Sequence, residues 1–349
     1  MDRTPKARNR VRQYRAARGW SQAELARRAE ISRAAVSAIE IDRLVPSVEA
    51  ALALAAVFAC TVEDLFGQTP ARAKEPAWAW SPARPGARFW QAEVGGRVLR
   101  FPTEATAAGV VPHDGIDGET ADGPDPRTTM VLAGCDPAAG LLAGEYARQS
   151  GFRLLVLPRP SGEALTLLGR RLVHAAGVHF ATVDDPDANR AAVRDQLGPG
   201  YRLLRVARWE EGLAVAPGAK VSSVRGAIRS RLRWVGREPG SAAAQCLDEL
   251  RGGLPAPQRI ARDHRGVAEA VRAGWADVGI CHRLAAEEAG LGFLAVRVEA
   301  FDLCYPAAAA GDPRIAALVR VVRSPEYRRL LGELPGFDTA AAGVVDAID

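Results

Sequence analysis

The sequence predicts a multidomain chain: an all-α helix-turn-helix head, a small β-hairpin connector and a two-lobed α/β clamshell. Three observations carry this expectation. Two helix starts stand within "SQAELARRAEISRAAVSAIE" (21–40). Gly95-Gly96 splits two runs of alternating strand residues. From residue 128, strand-like and helix-like segments alternate almost to the end of the 349-residue chain. The boundaries that follow are 1–67, 68–127 and 128–349.

The head comes first. Ser21 with Glu24 three residues on forms a capping box, so a helix starts at Gln22 and buries Leu25, Ala26 and Ala29. Ser32 caps a second helix with Val36 and Ile39 inward. The "AEIS" between them leaves room only for a tight corner. Two short helices crossing at a large angle make a helix-turn-helix, whose second helix enters the DNA major groove. Ser32 opens that helix, and Arg33, Ala34 and Ser37, opposite Val36 and Ile39, would meet base edges. Gln22 and Arg43 would lie toward the phosphates. Ahead of this pair, "NRVRQYRAARGW" predicts an amphipathic helix with Val11 and Tyr14 inward and Arg8, Arg12, Arg15 and Arg18 outward. A Ser47-capped helix and a short one from Thr61 complete the head.

Charge agrees with that reading. Residues 1–43 hold 11 Arg and Lys against 5 Asp and Glu, whereas the whole chain is only +5. The basic surplus is therefore concentrated in the head, where phosphate contacts need it. No apolar run reaches transmembrane length, and "MDRTPKARNR" leads into a charged helix rather than a secretory segment. The expectation is a cytoplasmic protein without membrane contact. Five cysteines at 60, 135, 246, 281 and 304, without C-x-x-C, suit a reducing compartment and packed thiols. Five scattered histidines without H-x-x-x-H argue against a zinc site.

"GQTPARAKEPA" (67–77) reads as a linker. The hairpin "RFWQAEVGGRVLRFP" follows, with Trp78, Trp80 and Trp90 expected to form an apolar cluster of its own. Residues 103–127 are Gly-, Pro- and Asp-rich and predict loop. Then "TTMVLAGC" reads as a buried strand, Pro137 starts a helix, and "FRLLVLPR" precedes a Ser161-capped helix. "VHFATV", "YRLLRVARW", "LRWVGR", "WADVGIC" and "LGFLAVRV" predict further strands, separated by helices such as "SAAAQCLDELR" and "HRGVAEAVRAG". A late return, "FDLCYP", leads into two terminal helices. Such series imply parallel sheets in two lobes, with crossings expected near 214–220 and 300–306, and a ligand at the strand carboxyl ends. Neither G-x-G-x-x-G after the first strand nor a P-loop pattern is present, which argues against nucleotide binding.

Two resemblances follow from these residues. With its "SQAELA", "IS", "IE…R…PS" and "DLF" stretches, 7–67 resembles the XRE-type (Cro/repressor-like) helix-turn-helix domain. Glu30 and Asp42 stand where that family usually has glycine, so both are expected in left-handed turns costing about 1 kcal/mol each. Residues 131–340 resemble the type 2 periplasmic-binding-protein-like domain of molybdate-binding proteins, also found fused to DNA-binding heads in bacterial regulators. "LAGCDPA", "RPSGEALTLLGRR", "WEEGLAVAPG", "RWVGREPGS" and "SPEYRRLLGELPGFDT" carry that likeness. Related domains commonly read asparagine before the arginine and "GSGTR" after it, where this chain has Gly236 and "GSAAA".

The resemblance implies a ligand held between lobes by loops that open helices. Unpaired N–H groups and partial positive charge at helix starts suit an anion. The candidate ligand-binding residues are Cys135, Asp136, Ser161, Gly162, Arg237, Gly240 and Ser241, with Asp277 and Tyr305 (and Gly279) bordering the second lobe's cleft side. Ser161 and Ser241 would add hydroxyls and Arg237 a guanidinium fork. Asp136 would orient Arg237 or accept from an amide, Cys135 would pack, and His179 would be a structural histidine. Molybdate or tungstate is the first effector expected, and a small anionic or polar metabolite the second. A Ser161–His179–Asp136 set can be written down, but no G-x-S-x-G elbow supports it. The chain is therefore expected to be no enzyme, to bind no cofactor covalently, and to act as a homodimer or higher homo-oligomer on double-stranded DNA. The alternative is a DNA-binding regulator that senses an organic metabolite or a protein partner.

Overall fold

The computed structural model describes residues 9–66, 76–104, 112–119 and 121–349. It divides the chain into two compact units, Met1–Glu75 and Pro76–Asp349. Arg8 and nearly all of the expected linker lie outside the described residues.

The head contains α1 (Val11–Ala17), α2 (Gln22–Arg28), α3 (Arg33–Glu40), α4 (Val48–Phe58) and α5 (Val62–Phe66). Ser21, Ser32 and Ser47 accept the N–H groups of Glu24, Ala35 and Ala50 at 3.1, 3.0 and 3.2 Å, so three helix starts are capped as their sequences require. Val11, Leu25, Val36, Ile39, Leu54, Phe58 and Leu65 form one core. Glu30 and Asp42 adopt φ of 52° and 57°, the left-handed turns that the missing glycines imply. Asp42 gains compensation, because its Oδ1 accepts from Asn9 Nδ2 at 2.6 Å. Arg15, expected outward, instead turns in. Its Nε and Nη2 hold Glu40 at 2.6 and 3.1 Å, because that half-buried carboxylate at the end of α3 needs a cation.

The second unit opens with β1 (Ala77–Trp78), β2 (Arg88–Val94), β3 (Arg97–Pro102) and β4 (Gly115–Ile116), paired in the order β1-β3-β2-β4. Gly95 and Gly96 turn the hairpin at φ of 58° and 77°, a conformation glycine adopts without strain. This region is not a separate connector with its own cluster. Trp90, Ala92, Leu99 and Phe101 share one core with Val131, Leu165 and Val178, so the hairpin is an outer layer of the α/β unit.

That unit continues as β5 (Thr129–Gly134), α6 (Ala139–Ser150), β6 (Arg153–Pro158), α7 (Ser161–Gly169), β7 (Ala175–Thr182), α8 (Ala188–Leu197) and β8 (Tyr201–Val215). Next come α9 (Val224–Arg229), β9 (Trp234–Arg237), α10 (Ala242–Arg251), β10 (Arg259–Ala261), α11 (His264–Arg272), β11 (Val278–His282), α12 (Arg283–Glu288) and β12 (Gly292–Pro306). The chain closes with α13 (Pro313–Arg323), α14 (Pro325–Gly332), β13 (Phe337–Asp338) and β14 (Val345–Ile348). One mixed sheet runs β10-β9-β11-β8-β12-β7-β5-β6, with β13 and β14 added on β8. Its two ends are parallel trios, β6-β5-β7 and β10-β9-β11, each the floor of a lobe.

The long antiparallel pair β8 and β12 joins the trios. Extra residues at Val206 of β8 and Val296 of β12 bulge the pair, and between them the strands pass from lobe to lobe. The crossings are thus displaced from the expected 214–220 and 300–306 toward the strand centres. "LGFLAVRV" and "FDLCYP" are not two strands but one of 15 residues. Glu211 and Glu299 are fully buried members of the ladder.

Candidate functional site

The carboxyl ends of β5, β7, β9 and β11 meet at the middle of β8 and β12. Cys135 follows β5, His179 lies on β7, Arg237 ends β9, His282 ends β11, and His264 opens α11. Trp209 and Glu211 come from β8 and Glu299 from β12. All are buried, so the lobes are closed over a polar interior. Gly162 at the start of α7 approaches Gly240 before α10 so closely that a Cβ on it would stand 3.4 Å from the Gly240 carbonyl oxygen. Arg265 Nη2 also donates across the lobes to the Pro137 carbonyl at 3.0 Å. Outside these loops lies an open depression of about 440 Å³, lined by Glu104, Arg159, Glu163, Glu238, Arg262 and Asp263.

A relay occupies one side of the interior. Cys135 Sγ lies 3.0 Å from His179 Nε2, and His179 Nδ1 lies 2.6 Å from Glu299 Oε2. Trp209 Nε1 donates to the same carboxylate oxygen at 3.2 Å, and Arg297 Nε to the other at 2.7 Å. Burial raises the Cys135 pKa, but the charge and hydrogen bond of His179 outweigh it and leave the thiol below its ordinary value. Burial lowers His179, and the Cys135 and Glu299 charges more than reverse that, leaving it well above its ordinary value.

The other side presents donors. Arg237 is 3% exposed, and no carboxylate among the described residues pairs with it. Its Nη1 meets His264 Nδ1 at 3.1 Å and its Nη2 the Arg262 carbonyl at 3.4 Å, while Nε finds no partner. The Ser161 hydroxyl, fully buried at the first residue of α7, is also without a partner. Pro160 rather than Ser161 is the cap there, so the hydroxyl is left over. Ser241 does cap α10, accepting from Ala244 N–H at 3.0 Å and donating to the Glu238 carbonyl at 2.8 Å.

Acids and imidazoles complete the interior. Burial, and then the neighbouring Glu299 charge, push Glu211 up to about 8, so it holds a proton at neutral pH. Burial raises Asp136 to about 6, against the Ala138 N–H that its Oδ1 accepts at 2.8 Å. Burial and the Arg237 charge hold His264 neutral, and burial holds His282 down at about 3.

Cys135, His179 and His264 offer ligand atoms within 4.8 Å of one another, the spacing of a metal site. The hydrogen bonding does not suit one. The His282 backbone N–H donates to His264 Nδ1 at 3.1 Å, and Arg237 reaches the same nitrogen, so the ring proton sits on Nε2. That corner presents an N–H where a cation needs a lone pair.

A family model described as "PBP superfamily domain" matches residues 143–323, and one described as "Helix-turn-helix" matches 11–65. The chain belongs to the PBP superfamily. No curated protein matches its sequence. Its fold is similar to that of a putative phosphate ABC transporter substrate-binding protein from Clostridium perfringens, at 11% identity and TM-score 0.47, covering 59% of this chain and 97% of that one. It is also similar to the tungstate ABC transporter from Geobacter sulfurreducens, at 14% identity and TM-score 0.46, covering 59% and 98%. A third is a reduced form of OxyR from N. meningitidis, at 11% identity and TM-score 0.43, covering 60% and 98%.

Two expected cleft residues lie elsewhere in this PBP-superfamily domain. Asp277 precedes β11 at the end away from the interior, where its carboxylate holds Arg233 at 2.6 Å. Tyr305 packs in the near-lobe core beside Leu204 and Phe301, at the far end of β12. Gly279 is a packing position, with Val235 and Val267 closing on it. His264, His282, Glu211, Glu299 and Trp209 were not anticipated. For Glu211, Glu299 and His282 the signal is an acidic or imidazole residue inside a strand-like run, where a solvated charge has no place.

In the head, Ser32, Arg33 and Ala34 are exposed and Ser37 half-buried, opposite the buried Val36 and Ile39. Arg43 is exposed in the loop after α3. Gln22 is half-buried, its Nε2 donating to Glu40 at 2.9 Å, which directs it toward α3.

Proposed function

We propose that the chain is an effector-responsive transcriptional regulator that binds operator DNA through α3 and a small anion between the lobes. One observation carries the anion: among the described residues Arg237 is buried without a carboxylate, and its Nε, the Ser161 hydroxyl and the His264 Nε2 all lack partners. An unpaired buried cation costs several kcal/mol, so such a site is complete only with an anion in it. Molybdate and tungstate are the inorganic candidates, and the departures at Gly236 and "GSAAA" widen the field to organic anions. The protein acts in the cytoplasm, where operator DNA lies. It binds rather than turns over its effector, and uses no covalently bound cofactor. It works as a dimer, for which the exposed Val45, Val48 and Leu52 on the head offer apolar surface. Among the described residues no helix is long and apolar enough to cross a membrane.

Calorimetry with molybdate, tungstate, sulfate, phosphate and small carboxylates, each followed by operator titration, tests this. Binding of one anion with a change in DNA affinity supports it. Sequence-independent DNA binding, or no anion bound at all, refutes it.

A further inference from the structure

Cys135 directly follows β5, His179 lies on β7 and Glu299 on β12, three strands that are neighbours in the sheet. Their separations, 3.0 and 2.6 Å, are those of a nucleophile, a base and an orienting carboxylate. Structural cysteines do not need this arrangement. Cys246 and Cys281 are equally buried, and burial drives both thiols above their ordinary value because no imidazole faces them. A second observation concerns what surrounds the sulfur. A ring nitrogen of His264, itself 1% exposed, lies within 4.8 Å of it, and His264 Nε2–H has no acceptor among the described residues. Donors left open beside a nucleophile are what a developing oxyanion requires. Addition of the thiol sulfur to a carbonyl builds such a charge on oxygen.

We propose that Cys135 is a covalent capture site and that the effector it takes is a small 2-oxo acid. This rests on the small-anion reading above and narrows it. The Cys135 thiolate attacks the carbonyl carbon, forming the S–C bond while the C=O π pair moves onto oxygen. His179 Nε2 gives its proton to that oxygen, leaving a neutral imidazole whose Nδ1–H still donates to Glu299. The product is a hemithioacetal or hemithioketal, formed without oxidation and reversed by the same path. Arg237 and Ser161 take the carboxylate, and His264 Nε2–H takes the new oxygen. Attack also removes the thiolate charge that would otherwise oppose an anion, so binding and addition reinforce each other.

Glyoxylate labelled with a carbon isotope at its aldehyde carbon is the probe, and oxamate, a monoanion of similar shape without an electrophilic carbonyl, is the control. Full-length protein should give a new tetrahedral-carbon NMR resonance with glyoxylate and lose thiolate absorbance in the ultraviolet. Oxamate should bind with neither change and should displace the label. Cys135→Ser should lose the resonance but keep oxamate binding, which also shows that the variant is folded. Glyoxylate bound without a new resonance overturns the covalent step. An inorganic oxyanion bound while glyoxylate and oxamate are not overturns the substrate class, yet leaves the small-anion reading standing. No binding by any of them overturns both.

Discussion

Replacing Arg237 with methionine separates a binding arginine from a structural one, because the two roles predict opposite stability changes. In the ligand-free protein the guanidinium is 3% exposed and makes two hydrogen bonds, to His264 Nδ1 at 3.1 Å and the Arg262 carbonyl at 3.4 Å. Those bonds contribute roughly 1–2 kcal/mol together. The desolvation of an unpaired buried cation costs several kcal/mol, so the balance favours methionine, which fills similar volume without charge. Arg237→Met should therefore hold or raise the unfolding free energy measured by urea titration. Anion affinity should fall by about 1.5–3 kcal/mol for the lost charge-assisted bonds, or roughly 10- to 150-fold at about 1.4 kcal/mol per decade. Calorimetry with the tightest-binding anion, alongside the urea titration, reads both. A variant several kcal/mol less stable with unchanged anion affinity would refute the reasoning, since Arg237 would then be a partner of the protein and not of a ligand.

Other expectations follow from the same geometry. Arg33→Ala should cost about 1–3 kcal/mol at one base position, whereas Arg43→Ala should weaken all sequences alike and lower the salt slope by about 1, as read by competition binding at several salt concentrations. Glu30→Gly should stabilise the head by about 1 kcal/mol by relieving its positive φ, but Asp42→Gly should gain little because it surrenders the Asn9 hydrogen bond; thermal melts of both compare them directly. Glu211, raised to about 8, keeps in the folded state a proton that the unfolded chain releases near an ordinary carboxyl pKa. Its stabilisation is thus complete in acid and lost as pH rises through about 8, with a slope approaching about 1.4 kcal/mol per pH unit. Glu211→Gln should flatten that part of the profile between pH 5 and 9, and an unchanged profile would count against the buried proton.

The head was legible because its information is local. Caps at Ser21, Ser32 and Ser47 and apolar spacing through Leu25, Val36 and Ile39 act within a few residues, whereas the left-handed turns at Glu30 and Asp42 were implied only by the family resemblance. Most of the α/β strands were legible for the same reason. The site was legible only in part. Ser161 and Arg237 stand at helix starts or strand ends, which local pattern marks. His179, His264 and His282 are three of the chain's five histidines, but their meeting depends on strand order, which no spacing encodes. Glu299 is buried because His179 lies on the adjacent strand 120 positions earlier. Asp277 misled because the strand read as "WADVGIC" starts only at Val278, which leaves Asp277 at its amino end, away from the cleft.

The placement of these charges bears on how an anion could control the lobes. Cys135 and His179 belong to one lobe, Arg237, His264 and His282 to the other, and Trp209, Glu211 and Glu299 to the strands on which the lobes turn. Opening the cleft hydrates Arg237, and closing it empty desolvates the guanidinium without a partner. The empty closed state is therefore penalised by a cost that an anion removes only when the lobes are shut. That is the differential affinity a population shift requires, since a ligand bound equally well in both states moves nothing. Taking the equilibrium from 1:99 to 99:1 needs about 5.5 kcal/mol of such difference. Charge-assisted hydrogen bonds supply roughly 1.5–3 kcal/mol each. Arg237, Ser161 and His264 acting together on one anion would supply about 4.5–9 kcal/mol and so reach that figure, whereas the two bonds left without Arg237, about 3–6 kcal/mol, reach it only at the top of their range.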